Sequence, residues 1–188
     1  GLDEKSSISL LKRLNAPVKK EAFQKIYRLT EGHPLFLELV QDVDDIQSQK
    51  DLKRYIQDEV FSRLEEKERK LLQTISVYRY PVSSNAFLID DSIEYEVLNN
   101  LVRRSFIQEI SYDLYDSHDM IKDFFYKTLP INLKKKYHGE AAQYYLEIGE
   151  EWAIVEAIYH FNKASEYEKA ARLAIGHGMN LITKGLTE

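Results

Sequence analysis

The stretch Tyr115-Asp116-Ser117-His118-Asp119-Met120-Ile121-Lys122-Asp123-Phe124-Phe125 reads as the end of a β-wing running straight into a helix. Ser117 suits the N-cap, because its hydroxyl can accept a bond from an orphan first-turn amide. Asp119 then falls in the first turn, where the helix dipole favours a carboxylate. Met120, Ile121, Phe124 and Phe125 recur at spacings that put them on one buried face. His118 is left at the helix mouth beside unsatisfied amides, where an anion such as a phosphate could bind. A capped structural helix with an incidental surface histidine accounts for the same residues, since His and Asp are common at helix starts.

Three helical patterns precede this stretch. Leu71, Leu72, Ile75 and Ser76 lie on a helix that starts in the charged run Glu65 to Lys70 and breaks at Tyr80-Pro81-Val82. Ser83 or Ser84 caps a short helix through Phe87 and Leu88. Asp90-Asp91-Ser92 caps a third, holding Ile93, Tyr95, Val97, Leu98, Leu101 and Val102. Phe106 to Ile110 reads as a strand, Ser111-Tyr112-Asp113 as a turn, and Leu114 to Ser117 as the return strand. Three helices and a hairpin make a winged helix over residues 65–129. That arrangement lays its third helix in the DNA major groove. Here the third helix carries Asp90, Asp91, Glu94 and Glu96, with Arg103 and Arg104 only at its far end. The wing adds Glu109, Asp113 and Asp116. Phosphate contacts need Lys or Arg, so an acidic face is repelled. A DNA-binding transcription regulator with a helical protein-interaction tail is the alternative reading.

Residues 1–64 read as helical. Leu10, Leu11 and Leu14 fit a short amphipathic helix opening between Asp3 and Ser7 and ending before Ala16-Pro17. A second runs from about Lys19 to Thr30, with Phe23, Ile26, Tyr27 and Leu29 as its apolar positions. In Glu31-Gly32-His33-Pro34-Leu35, Gly32 suits the left-handed position after a helix, and Pro34 suits the first turn of the next. Leu35, Phe36, Leu37, Leu39 and Val40 make that next helix heavily apolar. A tight corner between packed helices explains these residue types without any ligand. Asp44 to Lys50 reads as a loop, and Leu52, Ile56, Val60 and Leu64 form a further helical stripe.

Residues 130–188 read as paired helices after a break at Pro130. One covers about Leu133 to Ile148, its basic run Lys134-Lys135-Lys136 solvated at the start. The turn is Gly149-Glu150, and the partner runs from Glu151 to about Ala164. Tyr167 to Ile175 begins the next pair. Ala157, Phe161 and Ala164 resemble the second-helix signature of a tetratricopeptide repeat. Small alanines let the two helices of a hairpin approach closely, and the aromatic fills the next gap. A solenoid needs about three repeats to bury its faces, so the array is expected to continue past Gly185 in a longer protein.

Composition supports a mainly α fold: of 188 residues 44% are hydrophobic and 30% charged, with only seven glycines and four prolines. The formal net charge of -5 weighs against nucleic acid as the main partner. The chain has no cysteine, which excludes disulfides, thiol catalysis and Cys-based zinc sites. The five histidines form no H-E-x-x-H pattern. No apolar run approaches ~18 residues, and the start lacks the basic and apolar regions of a signal peptide, so a soluble cytoplasmic protein is expected.

Taken in order, these features resemble the STAND ATPases, the class of NB-ARC proteins, archaeal relatives and MalT-like regulators. Gly32-His33-Pro34-Leu35 resembles the G-x-P corner of their helical lid. A winged helix follows, and Ser117-His118-Asp119 at its end looks like the Met-His-Asp motif. An α-solenoid comes next. Gly1-Leu2-Asp3-Glu4 looks like the start of the lid, just after the nucleotide-binding core. The resemblance implies that Pro34 packs near adenine and ribose, that His118 contacts the β-phosphate of ADP, and that Asp119 fixes His118 and the helix start. A nearby carboxylate is expected to keep the imidazole protonated. Ser117 stands where the family has Met, which alters packing and leaves the donor in place. No G-x-x-x-x-G-K-[ST] loop occurs, so the chain is not expected to hydrolyse ATP by itself. ATP or ADP would bind together with a separate P-loop core. That core, and a protein bound by the helical repeats, are the implied partners. No nucleophile–base pair of an independent enzyme is legible.

Overall fold

The computed structural model describes residues 1–13, 20–34, 36–37, 61, 64–87 and 94–183. The chain is mainly α, with one small antiparallel hairpin among the described residues. It divides into two compact units. The first comprises Gly1–Arg69 and Glu96–Gln108, the second Lys70–Tyr95 and Glu109–Glu188.

In the first unit, α1 spans Glu4–Arg13 and α2 spans Lys20–Thr30. Asp3 opens α1, its Oδ1 accepting the Ser6 N–H at 2.7 Å. Leu11, Phe23 and Leu37 form a core, with Leu2, Ile8, Leu10, Ile26 and Tyr27 packed against it. Helix α3, Glu66–Ile75, opens on a half capping box: Glu68 Oε2 accepts the Glu65 N–H at 3.0 Å. The other Glu68 oxygen takes the Arg104 guanidinium at 2.7 Å. Leu14, the loop at 44–50, the stripe at residues 52, 56 and 60, and the Asp90-Asp91-Ser92 cap lie outside the described residues.

Helix α4 spans Tyr95–Arg103. The strand expected from Phe106 starts only at Gln108. The amides of Phe106 and Ile107 instead donate to the Leu101 carbonyl, at 2.9 and 3.3 Å, closing α4 through a left-handed Ser105. Phe106 and Ile107, which read as the start of the strand, are a buried helix stop, and Gln108 to Ile110 are strand.

From Glu109 the chain belongs to the second unit; β1 (Gln108–Ser111) and β2 (Leu114–Asp116) turn at Tyr112-Asp113, with Asp113 at φ 50°. Beyond the break after α3, Val82 pairs with Tyr115 as an isolated antiparallel bridge, its two bonds 2.9 and 2.8 Å long. Residues Ser84–Ala86 make a 3-10 turn. Ser83 does not cap it with its side chain; the Ser84 N–H donates to Asp113 Oδ1 at 3.2 Å.

Helix α5 spans Asp119–Thr128, α6 Ile131–Ile148, α7 Glu151–Ala164 and α8 Tyr167–Thr183. Pro130 stands at the N-cap of α6, so that helix begins earlier than the sequence suggests. Gly149 and Ser165, both left-handed, end α6 and α7. Ala142, Phe161 and Ala170 form the shared core of the helical hairpins, with Leu146, Ile158 and Leu173 around it.

Candidate functional site

The helix corner is built by backbone constraint. Glu31 and Gly32 are both left-handed, and the His33 N–H returns to the Thr30 carbonyl at 2.9 Å. The chain start lies across the corner: the Leu2 N–H donates to the Gly32 carbonyl at 2.8 Å, and the Leu2 carbonyl accepts from Tyr27 Oη at 3.2 Å. A Cβ on Gly32 would stand 2.2 Å from the Leu2 carbonyl oxygen, so only glycine fits. Pro34 takes the first turn of the following helix, marked by the Leu37 N–H donating to the His33 carbonyl at 2.9 Å. Pro34 is half-buried, whereas His33 is fully buried with its ring 4.4 Å from that of Phe36.

At the hairpin–helix junction the N-cap is His118, not Ser117. His118 Nδ1 accepts the Met120 N–H at 3.2 Å, and its carbonyl accepts the amides of Ile121 and Lys122 at 2.8 and 3.0 Å. Ser117 is buried and donates its own N–H to Asp116 Oδ1 at 2.8 Å. The first-turn amides of Met120 and Ile121 are therefore satisfied within the junction. A ring nitrogen that accepts this bond leaves the imidazole N–H on Nε2. Asp119 is the first residue of α5 and is exposed. The carboxylate that fastens the junction is Asp116, which also pairs with Lys122. Ile121 and Phe125 are buried, with Met120 and Phe124 half-buried beside them, as the spacing predicts. The structure thus brings His118 and Asp119 together in the second unit, while Pro34 belongs to the first.

A cluster that the sequence reading missed lies deeper in the second unit. His138 and His160 face each other at 2.8 Å between their Nδ1 atoms, and His138 Nε2 meets Tyr126 Oη at 3.1 Å. The Tyr145 ring stacks on His160, and Tyr78 lies alongside both. Arg79 forms a two-bond pair with buried Glu156 and covers the Tyr159 ring, its guanidinium carbon 3.9 Å from the ring centroid. Burial, with the charges of Lys163 and Lys134, pushes His138 down to about 4. Burial, His138 and Arg79 push His160 down to about 3. A signal was present: residues 138, 141, 142 and 145 share a stripe, as do 153, 157, 160, 161 and 164, so both histidines fall on apolar faces. Among the described residues no group of three His, Asp or Glu side chains is placed to hold a metal.

No family model matches the chain, and no curated protein matches it. Among solved structures it is similar to a signal transduction ATPase with numerous domains (STAND) protein with a tetratricopeptide repeat sensor from Pyrococcus horikoshii. The two share 21% identity and a TM-score of 0.66, over 97% of this chain and 28% of that one. The chain therefore spans little more than a quarter of that protein's length, and the two have a common fold.

Proposed function

We propose that this chain is the regulatory part of an ATP/ADP-switched signalling ATPase, closing over nucleotide held by a P-loop core elsewhere in the protein. The observation that carries the reading is the fold shared with a STAND protein across nearly the whole chain. Residues 1–64 serve as the lid, 65–129 as the winged helix and 130–188 as the start of the sensor repeats. His118 fits a phosphate-facing role, since its capping bond through Nδ1 directs the ring proton to Nε2. Pro34 would line the nucleotide base and ribose, and Asp119 would hold the helix start. ADP held between core and His118 favours the compact state, and ATP exchange releases it. The chain alone does not hydrolyse ATP. Its other partner is a protein bound by the repeats, and its setting is the cytoplasm. Among the described residues no helix is long and apolar enough to cross a membrane.

The test uses the protein with its P-loop core. His118→Ala should speed ADP release ~10-fold, the loss of one hydrogen bond to a charged group, and raise signalling output. Unchanged ADP retention would remove the assignment. The DNA-binding alternative predicts salt-sensitive association with duplex DNA, and a titration at two salt concentrations separates the two readings.

A further inference from the structure

We propose that Tyr126, His138 and His160 form an acid-released latch joining the helix that follows the hairpin to the first helical hairpin. The three side chains come from three successive helices, α5, α6 and α7, and two hydrogen bonds link them. The Nδ1–Nδ1 bond, at 2.8 Å, has room for one proton. One imidazole must donate and the other accept. A proton on both nitrogens puts two donors face to face in a dry interior, and the bond cannot form.

Among the described residues, the surroundings give such a charge no counterpart. His138 and His160 are 1% and 0% exposed. Facing them from the segment after α3 are Tyr78 and Arg79, and from α5 Tyr126. From α6 come Lys134 and Tyr145, with Tyr144 and Glu140 one layer out beside Tyr78. From α7 come Tyr159 and Lys163, with Glu156 beyond. Glu156 is committed to Arg79, and Glu140 pairs with Lys136. The near charges are cations: Lys134 and Lys163 act against a proton on His138, and Arg79 against one on His160. The depressed basicity of both rings agrees with this arrangement.

Opening the latch exposes two imidazoles to water, where each takes up a proton below about pH 6.5. The open-to-closed ratio then rises up to ~10-fold per pH unit for each histidine, and ~100-fold for the pair. Trp152 is the one tryptophan of the chain, and its ring lies 6.0 Å from that of Tyr145, which stacks on His160. Its fluorescence reports the cluster through Tyr145.

The experiment is an acid titration of the full chain from neutral pH, following Trp152 emission together with helical circular dichroism. The wild type should show an emission transition taking up about two protons. Tyr126→Phe, which removes one bond and little volume, should move that transition toward neutral pH. The double variant His138→Gln with His160→Gln should lose the two-proton steepness. If the double variant keeps the wild-type transition, the latch is wrong. Should that variant fail to fold, imidazole ¹⁵N spectra of the wild type decide. Both rings neutral at pH 6, with one shared Nδ1 proton, support the proposal; ordinary titration of both rings near 6.5 overturns it.

Discussion

At Gly32 two demands meet: a left-handed backbone, φ 71°, and a carbonyl oxygen where any side chain would begin. Gly32→Ala should therefore lower stability by ~1–3 kcal/mol, read from the urea midpoint. His118 is a milder case. Replacing it with Ala removes a cap and should cost ~1 kcal/mol, whereas His118→Asn keeps an acceptor and should cost less. If Asn preserves stability but not ADP retention, capping and ligand contact are separable roles of one ring. Gly32 and Pro34 were legible because each leaves the backbone few options. The cap was misread by one residue. Ser117 is the better cap by type, but its place is buried and its amide belongs to Asp116. Helical periodicity does not say which of two neighbouring residues stands outside the first turn.

Among the elements, α7 was legible at both ends because Gly149 and the small buried alanines leave one packing solution. Helix α8 was not: the sequence marks it to Ile175, and the structure carries it to Thr183 through Gly176 and Gly178. Among the described residues, no atom beyond the helix's own neighbouring backbone lies within 4 Å of a Cβ built on either glycine, so the helix loses packing there without being stopped. Gly176→Ala should raise stability by ~0.5–1 kcal/mol, measurable as a higher melting temperature. A drop would mean that the exposed face of α8 is covered by something. Phe106 and Ile107 carry the opposite lesson. Their apolar run reads as a strand, yet their amides serve a helix end, a distinction made by the left-handed Ser105.

For the molecule as a whole, pH sensitivity follows from groups buried neutral. Burial holds both His138 and His160 below the ordinary imidazole range when folded, against about 6.5 when unfolded. Their contribution is complete above about pH 6.5. It is lost as pH falls, because the unfolded chain protonates first, by up to ~1.4 kcal/mol per pH unit for each histidine. Burial raises Tyr78 and Tyr145, so on the alkaline side stability is complete below about pH 10 and declines above it. Urea midpoints across a pH series should form a plateau falling at both edges; a plateau reaching pH 5 would contradict the buried pair. This cluster was invisible as a unit because positions 126, 138 and 160 meet only after three helices have docked.

The hairpin is fastened twice to the segment before it, through the Val82–Tyr115 bridge and the Asp113–Ser84 bond. Both fastenings join the same two segments, Ser84 lying two residues from Val82 and Asp113 two residues from Tyr115. In deuterated water, the amides of Val82, Ser84 and Tyr115 should therefore share one protection factor. The tip and its neighbour chain would then open as a single flap.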